Sequence, residues 1–273
     1  MEPRPPLGER LAARWPSWSP ALLGLDGRVS WIMLWSALLL ILFRKFGGSN
    51  HFEQHLRPEA WASHPLLGLY GDYYWFCACF VILGLVPLLL SLPRPFRPAS
   101  LGLGLGDWRF GLKWVLILYA VMAPVVVVAS RFSTFSQYYP LNGMIGEQAA
   151  RLWAGQAATI THALAYFLVY ELLYGLYFVG WEFFYRGFLT FGLEERLGPH
   201  GVLVANIPFA LMHVGKPFPE ALGSIIAGVA LGLFALRARS FWPCVALHVG
   251  VAWTMDLCAI ERKAAVLSAA AGG

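Results

Sequence analysis

Residues 157–180 read AATITHALAYFLVYELLYGLYFVG, an apolar stretch that contains a single carboxylate, Glu171. About 20 consecutive, mostly apolar residues are enough for a helix to cross the hydrocarbon core of a membrane. Comparable apolar runs surround this stretch, at 29–43, 73–92, 111–130, 201–214, 221–236 and 241–260. The sequence therefore predicts an all-α fold, a polytopic transmembrane helical bundle of about seven to eight spans. The runs at 201–214 and 221–236 are short, and we expect them to be tilted or shielded by neighbouring helices.

The composition agrees with a membrane protein. Of the 273 residues, 58% are apolar and only 13% are charged, whereas about a quarter of a soluble domain is charged. The 20 Lys and Arg and the 15 Asp and Glu are too few to cover a soluble surface. These numbers argue against a soluble enzyme and against a disordered protein. No basic face with interleaved aromatic residues is present, so we expect no nucleic-acid partner.

The predicted organisation is a single membrane domain over residues 1–273, with a polar, Pro- and Arg-rich segment at 1–28. The three prolines in Leu92–Pro98 exclude a continuous helix there, because proline lacks an N–H donor and restricts the residue before it. All four cysteines lie in apolar runs, where thiols behave as small hydrophobic groups. We therefore expect neither a disulfide framework nor a cysteine-based zinc site.

Several ionisable side chains nevertheless lie in or beside the apolar runs of the second half of the chain. They are Glu171, Glu182, His213, His248 and Asp256. A charge at the bilayer centre costs about 2.5–3.5 kcal/mol on insertion scales, so such residues pair with one another or mark functional sites. Glu182 and Arg186 are spaced i,i+4 and therefore share one face of a helix. A structural interpretation also stays open, in which these groups form an ion pair and a polar seam between packed helices.

Three of these side chains carry the chemistry of a hydrolytic site. Glu182, His213 and His248 lie on three separate apolar segments, and Phe209 precedes His213 by one helical turn. A carboxylate is a base that can activate water, and imidazoles can donate hydrogen bonds to a developing oxyanion. The same three groups are also ligands that zinc prefers. Spacing alone leaves open whether the site works without a cofactor or holds zinc.

The order of these residues resembles the signature of the CPBP family of intramembrane proteases. This family contains the CAAX prenyl protease of the Rce1 type and its bacterial Abi relatives. Its signature is a Glu-Glu-x-x-x-Arg segment, then Phe-x-x-x-His, then a His four residues before an Asn or Asp. Glu182 and Arg186 match the second Glu and the Arg of the first motif. Phe209 and His213 match the second motif, and His248 matches the last His.

The resemblance covers about residues 100–258 and shows two departures. Trp181 stands at the position of the family's first Glu, which is the proposed water activator of that family. Ala252 stands where the Asn or Asp follows the last His, and Asp256 lies one turn further on. We expect Glu182 to act as the base and Asp256 to replace the missing polar residue.

The resemblance implies an intramembrane endopeptidase with a catalytic core at residues 157–260. Glu182 would activate water, and Arg186 would orient Glu182 and keep it ionised. His213 and His248 would stabilise the oxyanion or position the water. The short loop with Lys216 and Glu220 would line the entrance of the site, although a solvated turn explains this pair as well.

The implied partner is a membrane-attached protein that is cleaved near its C-terminus. The Ala-, Arg-, Gly- and Leu-rich composition suggests a GC-rich bacterium, so we expect a multi-pass protein of the bacterial cytoplasmic membrane with a role in protein sorting similar to that of the myxosortases. The alternative is a catalytically degenerate membrane protein, such as an immunity factor or a transporter-like protein, in which the buried charges form a structural polar seam.

Overall fold

The computed structural model describes residues 13–14, 24–92 and 101–271, and this part of the chain is helical and contains no strand. The longer helices are α1 (Gly27–Phe46), α2 (Leu67–Leu90), α3 (Trp108–Ala129), α4 (Gly143–Trp153), α5 (Ala163–Leu197), α6 (His200–Leu211), α7 (Phe218–Ala238) and α8 (Trp242–Ala271). Shorter helical segments are Ser49–His51, Phe52–Leu56, Glu59–Trp61 and Ser133–Tyr138. Within the described residues, α1, α2, α3, α5, α7 and α8 are long and apolar enough to cross a membrane. The predicted all-α polytopic bundle is confirmed.

Two of the predicted spans differ from the observed helices. The run at 221–236 is part of α7, which has 21 residues and is long enough to cross a membrane. The run at 201–214 corresponds to α6, which has only 12 residues. The helix break predicted after Leu92 and most of the polar segment 1–28 lie outside the described residues.

Polar side chains fix where several helices begin. Asp26 precedes α1, and its Oδ1 accepts hydrogen bonds from the backbone N–H groups of Arg28 and Val29 at 2.9 and 3.0 Å. Asp107 accepts from the N–H of Phe110 at the start of α3, at 3.1 Å. The first N–H groups of a helix have no partner within the helix, so a preceding Asp or Asn stabilises this end.

The short helix α6 determines the depth of the site. Arg196 at the end of α5 lies 3.1 Å from Asp26 at the start of α1, and α6 begins at this same end of the bundle because it follows α5 after two residues. Its 12 residues extend about 18 Å, against about 30 Å for a hydrocarbon core. The C-terminal end of α6, and His213 directly after it, therefore lie within the thickness of the bundle.

Two glycines allow close helix packing beside the site. A Cβ on Gly180 of α5 would lie 2.6 Å from the Cα of Phe80, so only glycine permits the observed approach of α2. Gly228 of α7 likewise has no room for a Cβ, because Asn206 of α6 occupies that place. The amide of Asn206 donates to the carbonyl of Ile225 at 3.0 Å and joins α6 to α7. These contacts hold the short helix against the spans around it.

Candidate active site

Glu182 and Arg186 form a buried ion pair in the middle of α5. Glu182 is the last residue before a π-helical segment, Phe183–Phe191, and such segments occur frequently at functional sites. The side chains of Glu182 and Arg186 are 0% and 1% exposed, and Glu182 Oε2 lies 3.1 Å from Arg186 Nε. The structure thus places both groups on one face of the helix, as the spacing predicts. Arg186 supplies the positive charge that an ionised carboxylate needs at this depth.

His248 of α8 forms a hydrogen bond with the second carboxylate oxygen of Glu182. The distance from His248 Nδ1 to Glu182 Oε1 is 2.6 Å. A carboxylate only accepts hydrogen bonds, so Nδ1 carries the hydrogen and Nε2 of the neutral ring has a free lone pair. The His248 side chain is 19% exposed and its ring stacks on Phe178, 4.1 Å away. Glu182 is fully buried, whereas part of the His248 side chain lies on the accessible surface.

His213 is oriented by Phe209, one turn earlier in the chain. His213 Nδ1 lies 2.8 Å from the carbonyl oxygen of Phe209. A carbonyl only accepts, so Nδ1 again carries the hydrogen and Nε2 is left as an acceptor. The ring of Phe209 lies under the guanidinium of Arg186, 4.5 Å from Arg186 Cζ to the ring centroid. Phe209 therefore connects His213 to the Glu182–Arg186 pair. This contact explains why a phenylalanine stands one turn before the histidine in the sequence motif.

Trp181 packs against the aromatic side chains that surround His213. It is buried, and its ring stacks on Tyr177 at 5.5 Å between centroids. It also contacts Phe209 at 6.1 Å and meets His213 edge-on at 6.0 Å. Trp181 thus supports His213 by packing. The carboxylate next to it in sequence, Glu182, is the one that the structure brings to His248.

Asp256 lies away from Glu182 and has a different partner. Asp256 is 0% exposed, and its carboxyl group lies near that of Glu171, with which it interacts electrostatically. A hydrogen bond between two carboxyl groups requires a proton on one of them. Both acids lie on the same two helices as Glu182 and His248, so they form a second link between α5 and α8. The suggestion that Asp256 replaces the residue missing at Ala252 stays a prediction.

Lys216 and Glu220 belong to a polar network beside His213, whose backbone carbonyl accepts a hydrogen bond from the Lys216 N–H at 3.1 Å. That this pair lines the entrance of the site stays a prediction. Lys216 Nζ lies 2.7 Å from Glu220 Oε1. The hydroxyl of Tyr139 donates to both carboxylate oxygens of Glu220, at 3.0 and 2.9 Å. Lys263 Nζ donates to the Tyr139 carbonyl at 3.0 Å. The network therefore ties the loop before α7 to α8 and to the segment before α4.

Tyr139 is a residue that sequence reasoning missed, because nothing in the sequence links position 139 to position 220. Burial, together with Tyr174 and Glu220 nearby, holds the pKa of the Tyr139 hydroxyl well above its usual value. The hydroxyl therefore keeps its hydrogen at neutral pH and remains a donor to Glu220.

The zinc site left open by the sequence does not fit this arrangement. No group of three or more His, Cys, Asp and Glu side chains within the described residues is placed to hold a metal ion. Both oxygens of Glu182 already face His248 and Arg186. Whether the site works without a cofactor or holds zinc stays a prediction.

A comparison with protein families supports the family resemblance that the motifs predict. Residues 161–254 match the model described as "Type II CAAX prenyl endopeptidase Rce1-like". This segment is Rce1-like. It contains Glu182, Arg186, His213 and His248, so the family resemblance predicted from the motifs is confirmed. No significant match is found among the curated proteins or among the solved structures.

The Rce1-like match implies a CAAX-type membrane protease whose substrate is a membrane-associated protein. Together with six helices able to span a membrane, it makes the chain an integral, multi-pass membrane protein. The bacterial cytoplasmic membrane and the sorting role similar to the myxosortases stay predictions.

Proposed function

We propose that this chain is an intramembrane endopeptidase that hydrolyses a peptide bond near the C-terminus of a membrane-attached protein. The observation that carries this proposal is the hydrogen bond of 2.6 Å between Glu182 and His248 inside the Rce1-like segment. A buried carboxylate that accepts from one nitrogen of an imidazole leaves the other nitrogen free to act as a base, which is the arrangement used by hydrolytic triads.

In the proposed reaction, His248 Nε2 takes a proton from water as the water oxygen attacks the peptide carbonyl. Glu182 stabilises the resulting imidazolium, and Arg186 keeps Glu182 ionised. His248 then returns the proton to the amine that leaves when the C–N bond breaks. The sequence suggests Glu182 as the direct base, but its burial and its two partners favour a role through His248.

His213 has the role of positioning water in this proposal. Its Nδ1–H donates to the carbonyl of Phe209, so neutral His213 presents only an acceptor at Nε2. An acceptor can hold a hydrogen of the attacking water, whereas donation to an oxyanion would need a second proton on the ring. Water positioning therefore agrees better with the observed hydrogen bond.

The test is a double-substitution cycle on the purified chain in detergent micelles. The probe is a peptide with a prenylated cysteine followed by three residues and a free C-terminus, and release of the tripeptide is measured. A second probe is an unprenylated peptide with a C-terminal membrane-spanning tail. We expect Glu182→Gln and His248→Gln each to lower kcat by about 10³–10⁴, and the double variant to lose no more than either single one.

Glu171→Gln is the matched control, since it makes the same carboxylate-to-amide change in the same helix. We expect it to keep kcat within about tenfold of the wild type, because it lies outside the reacting groups. Full activity of Glu182→Gln would contradict the proposal. An active His248→Gln beside an inactive Glu182→Gln would restore Glu182 as the direct base. A wild-type chain that cleaves neither probe would favour the catalytically degenerate alternative.

A further inference from the structure

A cavity of about 670 Å³ lies at the end of α1, away from the Glu182–His248 pair. It is formed by the last residues of α1, by the segment 48–55 and by Trp75 of α2. Pockets that hold small molecules and headgroups typically have volumes of about 300–1,000 Å³. The cavity is therefore large enough for a ligand.

The side chains that line the cavity are basic, neutral polar or aromatic. Arg44 and Lys45 bring two positive charges, and His51 and His55 bring imidazoles whose rings lie 5.0 Å apart. Three neutral hydrogen-bonding side chains complete the polar wall: Ser49, Asn50 and Gln54. None of the eleven lining residues is acidic. This composition suits an anion that accepts several hydrogen bonds.

The two cations of this wall, Arg44 and Lys45, have no acidic partner among the described residues. Arg28, Arg151, Arg186, Arg196, Lys216, Arg237 and Arg239 all form ion pairs. Arg44 and Lys45, like Arg109 and Lys113, make no ion pair with another residue in the described part of the chain; unlike those two, they line a cavity. Basic residues in the last turn also stabilise a helix C-terminus, but that effect requires no cavity beside them.

The position of the cavity at the end of a membrane span indicates which kind of anion it binds. Arg44 and Lys45 form the last turn of a helix that is long and apolar enough to cross a membrane. Phe43, Phe46 and Trp75 line the same cavity, and tryptophan side chains concentrate at the level of lipid headgroups. Basic pockets between spans at this level bind the headgroups of anionic lipids.

We propose that this cavity binds the phosphate-bearing headgroup of an anionic phospholipid. Arg44 and Lys45 pair with the phosphate, the neighbouring polar side chains donate hydrogen bonds to it, and the aromatic residues contact the start of the acyl chains. This site is separate from the proposed catalytic groups and does not depend on the proposed reaction.

The test uses the full chain, purified in a neutral detergent and given an equal mixture of phosphatidylglycerol and phosphatidylcholine. Native mass spectrometry counts the lipids that stay bound. We expect the wild type to retain phosphatidylglycerol in preference to phosphatidylcholine. Arg44→Gln with Lys45→Gln should weaken phosphatidylglycerol binding on the order of tenfold.

The matched control is Arg109→Gln with Lys113→Gln. This variant also removes two exposed positive charges at the end of a span, beside Trp108, but outside the cavity. We expect it to keep the lipid preference. Equal loss in both double variants, or equal binding of the two lipids by the wild type, would overturn the proposal. Displacement of the lipid by millimolar inorganic phosphate would overturn the assignment to a lipid.

Folding of the variants is checked by their thermal melting in detergent. If the Arg44 and Lys45 double variant melts early, Lys45→Gln and His55→Gln replace it, each changing one exposed side chain of the wall. Weaker phosphatidylglycerol binding by both supports the site, and unchanged binding by both contradicts it.

Discussion

Two polar links join the same two helices, α5 and α8, and they are built differently. In the first link, Glu182 contacts His248 and the guanidinium of Arg186. In the second, the carboxyl groups of Glu171 and Asp256 lie near each other and interact electrostatically. No Lys or Arg lies within ion-pair distance of either acid in the described part of the chain. One link therefore contains a cation and a base, and the other contains neither.

The difference shows why only one of the links suits hydrolysis. Beside Arg186, the Glu182 carboxylate can stay ionised in a buried position and can stabilise a positive charge on His248. In the acid pair, two buried carboxyl groups attract each other only when one of them carries a proton, and an acid that accepted a proton from water would lose the negative charge that a base needs. We therefore propose a catalytic role for the first link and a role in helix packing for the second.

The strongest way to break the first link is Arg186→Met. This substitution leaves the Glu182 carboxylate buried without its cation, which we expect to lower the free energy of unfolding by about 3–5 kcal/mol. Unfolding in mixed micelles titrated with a denaturing detergent measures this difference. Arg151→Met is the control, because Arg151 pairs with Glu147 at 2.9 Å near the surface; it should cost less than about 1 kcal/mol. Equal losses in both variants would contradict a special role of the buried cation.

The sequence predicts the first link well because most of its parts are local. Glu182 and Arg186 are one turn apart, and so are Phe209 and His213, so helical geometry alone places each pair together. The two pairs are far apart in the sequence, but they follow each other in the same order as the family's motifs, which indicates one site. The apolar runs likewise predict the spans, since each run needs a helix to satisfy its backbone in a membrane.

The remaining features depend on packing between distant segments. That α6 ends inside the bundle follows from its contact with α5 and α7 and from its 12 residues. The partner of Asp256 depends on how α8 lies against α5, and helical spacing from His248 does not identify Glu171. The hydrogen-bonding state of each histidine becomes clear only when its acceptor is known, as with the carbonyl of Phe209.

A smaller effect is expected from Asp256→Ala in the second link. The substitution removes one acid and leaves the buried carboxyl group of Glu171 without its polar neighbour, which we expect to cost about 1–3 kcal/mol of unfolding free energy. The same detergent titration measures it. Because the acid pair has no cation to leave unpaired, the loss should stay below that of Arg186→Met. A larger loss for Asp256→Ala would reverse the order of the two links.

The smallest effect is expected from Asp256→Asn, which tests whether the link needs a proton between the two acids. The side-chain amide of Asn has two N–H donors and can donate to the Glu171 carboxyl group, so a hydrogen bond between the two positions needs no extra proton. We expect the free energy of unfolding to change by less than about 1 kcal/mol. Asp256→Ala is the comparison, since it removes the donor altogether. If Asn costs as much stability as Ala, a hydrogen bond between these positions does not hold α5 against α8. If Asn is tolerated and Ala is not, the link depends on a donor at position 256 and not on a negative charge, in contrast to Glu182, whose charge is matched by Arg186.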